Sequence, residues 1–274
     1  MSKEEILKLE KVSNTVRKEM MEMLIQAGSG HTAGPLSMTD IFVAMYFNIL
    51  KHDPQNPDWE ERDRLVLSHG HTCPALYTTL SEVGYFSKIE LQTLRKFGSP
   101  LQGHPHREWL QGLETSSGPL GSGLSQAIGM ALANRINLDN EYFYCLMSDG
   151  EMQAGQTWEA LMLAGKEKLS NLVAIIDRNG IQIGGLTKDI MPLEPLRDKL
   201  EAFNWQVLEI DGHDFEQIIG AVKVAKKTAG KPTVIIAHTI PGKGFPEFEN
   251  DYKWHGKVPN REKLKNEMKA KFED

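Results

Sequence analysis

Cysteine is nearly absent from this chain of 274 residues. The two present, Cys73 and Cys145, exclude a disulfide framework, and neither has metal-ligand partners near it in sequence. A positive excess is missing too: a net charge of −6 and a pI near 5.9 give no support for a nucleic-acid partner. No apolar run approaches the roughly 18 residues of a membrane span. The first 26 residues are charged and place Ile6, Leu9, Val12, Val16, Met20 and Leu24 on one helical stripe, unlike a signal peptide. There is no internal repeat and no low-complexity linker. A cytoplasmic protein of one large domain, or at most two, is the expectation.

What the chain does have is alternation of strands and helices. Short continuous apolar runs bounded by turn residues predict buried strands at 64–68, 142–147, 172–177, 205–210 and 233–238. Helical patterns predict helices at 1–26, 37–50 (capped by Ser37 or Thr39), 73–83, 88–96, 124–136, 154–170, 195–203 and 215–228. A charged helix is expected after Pro259. This order predicts an α/β fold, a doubly wound and mostly parallel sheet flanked by helices. Residues 98–123 are rich in glycine, proline and serine, and so long a stretch without an element suggests a functional loop.

Two strand ends carry the most informative residues. Ser148-Asp149-Gly150-Glu151 follows one apolar run and Asp177-Arg178-Asn179-Gly180-Ile181 follows the next, with a helical stretch between them. A right-handed βαβ crossover makes these strands parallel, and open parallel sheets bind ligands at their carboxyl ends. Asp-Gly and Asn-Gly are common turns when taken singly. Together at adjacent strand ends, Asp149, Asn179 and the main-chain carbonyl of Ile181 form an oxygen donor set for a hard cation such as Mg²⁺, which borrows further ligands from a phosphate. Gly150 allows close approach of a diphosphate near the amino end of the crossover helix.

Nine histidines are present, and four stand in glycine-containing loops: His31, His71, His104 and His255. Together they suggest one polar cleft in which neutral imidazoles bond hydroxyls and pass protons. His69, His213 and His238 are read as structural. Gly118-Pro119-Leu120-Gly121 lacks the Lys-Ser/Thr ending of a P-loop, so it reads as a main-chain contact surface for a flat ligand edge.

These residues resemble the transketolase family over nearly the whole chain. The segment from Ser148-Asp149-Gly150 to Asn179 is similar to a thiamine diphosphate fingerprint. The ordered set Ser29-Gly30-His31, Ser68-His69-Gly70-His71, Gly103-His104-Pro105, Gly118-Pro119-Leu120-Gly121, Gly242-Lys243-Gly244 and Trp254-His255-Gly256 narrows the resemblance to transketolases. The resemblance implies thiamine diphosphate and Mg²⁺ as cofactors, with Ca²⁺ or Mn²⁺ as substitutes. It implies Asp149, Asn179 and the Ile181 carbonyl as metal ligands, and Gly150 and Asn179 as diphosphate contacts. His71, Gly118, Pro119, Leu120 and His255 would touch thiamine, while His31, His104 and His255 would face the sugar and handle protons.

The resemblance further implies transfer of a two-carbon glycolaldehyde unit from a ketose phosphate to an aldose phosphate. Because the sequence ends at Asp274, residues 1–274 are expected to be a single diphosphate-binding domain. The pyrimidine-binding and carboxyl-terminal domains would then lie in a separate partner chain, in an α2β2 assembly. Three positions depart from the pattern: Ser148 for the first glycine of the fingerprint, Ala154 for a glutamate that reaches across the dimer in many relatives, and Pro241 for a lysine offered to the diphosphate, with Lys243 as substitute. Competing readings are another thiamine enzyme, such as a deoxyxylulose-phosphate synthase fragment or a 2-oxo acid dehydrogenase subunit, and a non-catalytic transketolase-derived scaffold.

Overall fold

The computed structural model describes residues 1–262 and Leu264. Five parallel strands form the central sheet: β1 (Arg64–Leu67), β2 (Phe143–Ser148), β3 (Leu172–Arg178), β6 (Gln206–Asp211) and β7 (Thr233–His238), in the order β1-β2-β3-β7-β6. A small antiparallel hairpin, β4 (Ile181–Gln182) with β5 (Gly185–Leu186), follows β3 directly. The helices are α1 (Lys3–Ala27), α2 (Ala33–Ala44), α3 (Cys73–Val83), α4 (Gly123–Asn137), α5 (Gly155–Glu167), α6 (Thr187–Ile190), α7 (Leu196–Ala202) and α8 (Phe215–Lys227). Among the described residues no helix is long and apolar enough to cross a membrane.

Alternate strand residues supply two cores. Leu65, Leu67, Tyr144, Leu146, Val173, Ile175 and Ile235 pack beneath α1, α2, α3 and α8. Val66, Cys145, Met147, Ala174, Ile176 and Ile236 pack beneath α4, α5 and α7. Strands covered on both faces read as unbroken apolar runs because neither face meets water. The sheet is doubly wound, as expected, and the strand boundaries fall within a residue or two of those read from the sequence.

Several helix expectations are corrected. The second helix begins at Ala33, so Ser37 and Thr39 lie inside it and cap nothing. Thr39 Oγ1 donates to the Pro35 carbonyl at 2.9 Å and Ser37 Oγ to Asp177 at 2.7 Å. Pro35 fits the first turn, where its missing N–H has no helical acceptor. This helix gives way to a π turn at Met45–Ile49. The stretch 88–96 forms only a 3₁₀ turn, Lys88–Thr93, because the backbone at Arg95 enters the left-handed region at φ 61° and its N–H turns to the Leu101 carbonyl. Of the glycine-rich stretch 98–123, residues 98–122 contain no regular element, as their composition suggested, and Gly123 opens α4. Of the helix expected after Pro259, Arg261 and Glu262 are helical and nearly all the rest lies outside the described residues.

Gly165 in α5 shows how tightly the second core is closed. A methyl there would stand 1.9 Å from the Phe203 carbonyl oxygen. Helix propensity alone favours alanine by about 1 kcal/mol, but backbone cannot yield as a side chain does. Gly165→Ala should destabilise by about 1–3 kcal/mol in urea unfolding. Gly129→Ala in α4, where a methyl meets nothing within 4 Å, should stabilise by about 0.5–1 kcal/mol. Equal effects at the two sites would contradict this packing.

Candidate functional site

The parallel register brings Ser148 beside Asp177 at the ends of β2 and β3. Asp149 follows as the cap of a 3₁₀ turn, Gly150–Gln153, that leads into α5. Asn179 follows β3 and begins the turn into the hairpin. Both residues therefore stand at carboxyl ends of adjacent strands.

Asp149 is fully buried. Its Oδ1 accepts from the Gly150 N–H at 2.7 Å, and its Oδ2 accepts from the Gly180 N–H at 2.7 Å and from Arg178 Nη1 at 2.8 Å. Burial pushes its carboxyl pKa up, against the pull of Arg178 and the two N–H groups. Asn179 donates from Nδ2 to Asp177 at 2.7 Å and accepts at Oδ1 from the Ile181 N–H at 3.0 Å. Asp177 is also buried and takes hydroxyl bonds from Ser37 and Thr239. Burial raises its pKa to about 7, the hydroxyls opposing. The buried Asp177 thus fixes the amide of Asn179 with its oxygen facing Ile181.

The loop histidines converge. The His31 ring centroid is 5.1 Å from that of His71, 6.2 Å from His104 and 5.6 Å from His255, and His71 lies 5.0 Å from His255. His69 joins them, 5.7 Å from His71, while its Nδ1 is 2.8 Å from the Leu146 carbonyl, the bracing role read from the sequence. Burial holds His31 and His69 down to about 4, with His255 next in effect on His31. Burial also lowers His71, His104 and His255. These are neutral rings, able to accept a hydroxyl proton or donate an N–H without carrying charge. His213 and His238 stand apart, His213 between Asp40 and the Ile240 N–H and His238 on Glu209.

Gly118, Pro119 and Leu120 form the lip of the loop before α4. A methyl on Gly118 would meet His104 at 4.0 Å, so the loop borders the histidine cluster. Glu151, quoted above only within a motif, proves to hold this loop. Its buried carboxylate accepts from the Gly121 N–H at 2.5 Å, the Ser148 N–H at 3.2 Å and the Ser68 hydroxyl. The signal that could have found it is a carboxylate two residues beyond Asp149 in a segment otherwise buried. Of the departing positions, Ser148 is absent from the residues with positive φ, so its side chain costs no backbone strain. Lys243 lines a different cleft with Glu209, Asp211, His213 and His238.

Buried polar atoms without partners mark where a ligand would add bonds: His31 Nδ1, His255 Nδ1, His69 Nε2 and Gln182 Oε1. A methyl on Gly150 would meet only Gln182, at 3.5 Å, so the backbone there is open to a close neighbour. One carboxylate, one amide oxygen and a main-chain carbonyl suit a hard cation that completes its shell from a diphosphate. Arg178 beside Asp149 adds a counter-charge for such an anion. The residues fit thiamine diphosphate with its cation.

A sheet with an acid–amide pair at two strand ends and a neutral imidazole cluster beside it defines a thiamine diphosphate-binding domain. The family described as "Transketolase, thiamine diphosphate binding domain" matches residues 9–273, and the chain belongs to it. It is 45% identical over 241 residues to a 6-deoxy-6-sulfo-D-fructose transketolase subunit of Clostridium sp. (strain MSTE9), covering 88% of each chain. It is 43% identical to an apulose-4-phosphate transketolase subunit of Phocaeicola vulgatus, over 93% of this chain and 90% of that one. Against Transketolase 1 of Escherichia coli it is 37% identical over 89% of its length but only 39% of the relative. Among solved structures, the Campylobacter jejuni transketolase superposes with a TM-score of 0.89 at 37% identity, over 96% of this chain and 42% of that one. That of Leishmania mexicana gives a TM-score of 0.91 at 34% identity, over 97% and 41%.

The lowered histidines have a stability consequence. Where a folded-state imidazole sits near 4 and the unfolded one at 6.5, acid protonates the unfolded chain first. Each such ring supports the fold fully above about 6.5 and loses that support as pH falls toward about 4. The ring resonances of His31 should titrate near 4 and stay flat from pH 5.5 to 8. The urea midpoint of the wild type should fall more steeply between pH 6.5 and 4 than that of His31→Asn. Titration of His31 near 6.5 would contradict the desolvated cluster.

Proposed function

We propose that residues 1–274 form the diphosphate-binding subunit of a two-chain transketolase, transferring a two-carbon glycolaldehyde unit from a ketose phosphate to an aldose phosphate. The observation that carries this is the convergence of His31, His71, His104 and His255, with unpartnered ring nitrogens on His31 and His255, near a loop at the carboxyl end of the sheet. Two relatives named as subunits, each matched over 88% or more of its length, support the division into separate chains. The partner chain would supply the pyrimidine-binding and carboxyl-terminal domains.

In this reading Asp149, Asn179 and the Ile181 carbonyl hold Mg²⁺, with Ca²⁺ or Mn²⁺ as substitutes. Gly150 and Asn179 meet the diphosphate, while His71, Gly118, Pro119, Leu120 and His255 border the thiamine. Bound thiamine diphosphate supplies the carbanion and the electron sink. The chain supplies position and proton handling. His31, His104 and His255 bond the sugar hydroxyls, and their lowered pKa keeps them neutral; the unpartnered Nδ1 of His31 and that of His255 can each accept a hydroxyl proton and return it.

Glycolaldehyde transfer measured by coupled assay should be absent for the chain alone and appear when the partner is added. Robust turnover by the single chain would sink the split-site reading. Donor choice separates the nearest alternative, since a pyruvate-dependent reaction without ketose turnover would point to another thiamine enzyme. Asp149→Ala should weaken Mg²⁺-dependent thiamine diphosphate binding by calorimetry on the order of 100-fold or more. Absence of any such binding by the wild type with its partner present would favour a scaffold.

A further inference from the structure

Both ring nitrogens of His213 have partners that fix where its proton sits. Nδ1 lies 2.8 Å from Asp40 Oδ2, and Nε2 accepts from the Ile240 N–H at 2.8 Å. Asp40 is buried on α2 and paired with Arg17 of α1. Burial alone would raise its carboxyl pKa, but Arg17 and His213 hold it well below the usual carboxylate range. An ionised carboxylate only accepts, so the proton is on Nδ1 and Nε2 is bare. His213 is thus a neutral ring in a single tautomer. With Nε2 taken by a main-chain N–H, it has no nitrogen left for a substrate.

What hangs on Ile240 is the connection that leaves β7 and carries His255. The Pro241 carbonyl accepts the Asn250 N–H at 3.0 Å, which closes the connection into a loop. Asp251 then caps the 3₁₀ turn Tyr252–Trp254 by accepting the Lys253 N–H at 3.0 Å, and His255 follows with its N–H on the Tyr252 carbonyl at 2.9 Å. Phe245, Phe248 and Trp254 are buried within it, the last two 4.6 Å apart between ring centroids. The same loop grips the segment of His31. The Gly242 N–H donates to the Ala33 carbonyl at 3.0 Å, and Thr32 Oγ1 donates to the Lys257 carbonyl at 2.7 Å. Helix α2 is therefore joined to the loop twice, directly at Ala33 and through His213 at Asp40.

We propose that His213 is a positioning residue for His31 and His255: by fixing the loop at Ile240 it holds those two rings at their 5.6 Å spacing. Its catalytic consequence rests on the transketolase reading above, and its physical basis is the series of contacts Arg17–Asp40–His213–Ile240. A hydrogen bond from main chain to a ring of one tautomer is directional, which apolar packing is not. A displacement of about 1 Å in groups that hold a substrate costs on the order of 100-fold in rate.

Two substitutions separate the two bonds of the ring. His213→Asn places an amide where Nδ1 was, keeping a donor for Asp40 and nothing at Ile240. His213→Gln places an amide oxygen where Nε2 was, keeping an acceptor for Ile240. Both are assayed in the chain assembled with its partner, where urea curves show each variant folded. His213→Asn should lower kcat for glycolaldehyde transfer about tenfold, with KM for the ketose changed less than about threefold, and His213→Gln should recover most of the loss. Equal losses in the two, as a purely structural role would give, or no loss in His213→Asn, overturn the assignment. The full chain by itself gives a second readout. Wild-type ¹⁵N spectra should show a coupling across the hydrogen bond between His213 Nε2 and the Ile240 amide nitrogen. The His255 ring resonances should be displaced in His213→Asn and return toward the wild-type positions in His213→Gln. No coupling in the wild type, or an unmoved His255 ring in His213→Asn, also overturns it. Should the wild-type assembly transfer nothing from any ketose, the transketolase reading falls and these spectra alone decide the positioning role. Should His213→Asn fail to fold, the wild-type coupling and the His255 ring of His213→Gln decide it.

Discussion

One buried carboxylate sets the position of the site. Glu151 gathers the Ser68 hydroxyl at the end of β1, the Ser148 N–H at the end of β2 and the Gly121 N–H of the glycine loop. Removing a carboxylate from water is costly, and burial indeed raises its pKa; three donors offset that cost and make the arrangement specific. Asp177 has the same role on the neighbouring strand, tying Ser37 of α2 and Thr239 after β7 to Asn179. Together the two carboxylates hold loops from distant stretches of the chain against a single sheet edge.

This explains how nearly featureless loops present an ordered set of groups. The segment from Leu94 to Ser122 has no element of its own. Its end is pinned at Gly121 by Glu151, and its middle is braced by the Cys73 and Tyr77 side chains on the carbonyls of Gln102 and Gly103. His104 is thereby brought to His31, which comes from the connection between α1 and α2. Crowding and dehydration of five imidazoles then keep them neutral, the state in which they can exchange protons with hydroxyls rather than repel one another.

Much of this was legible in the sequence because it is local. The strands show as apolar runs since both sheet faces are covered, and Asp149 and Asn179 follow those runs directly. The histidines were visible as a set through the glycines beside them. What was not legible depends on partners far away in sequence. Glu151 carries no role in the sequence because its partners Ser68 and Gly121 lie 83 and 30 residues away, and Ser37 looked like a cap until Asp177 claimed its hydroxyl. The expected helix at 88–96 failed because the left-handed Arg95 breaks it, a conformation that nothing in its own neighbourhood announces. The hairpin Ile181–Leu186 is too short to show a strand period.

In the proposed function the acid–amide pair and the imidazole cluster belong to a single cofactor site. Anomalous scattering from crystals grown with thiamine diphosphate and Mn²⁺ tests it most directly. One Mn²⁺ peak should touch Asp149, Asn179 and the Ile181 carbonyl, with the diphosphate at Gly150 and the thiazolium ring toward His71 and His255. A Mn²⁺ peak elsewhere, or cofactor density away from those residues, would contradict it.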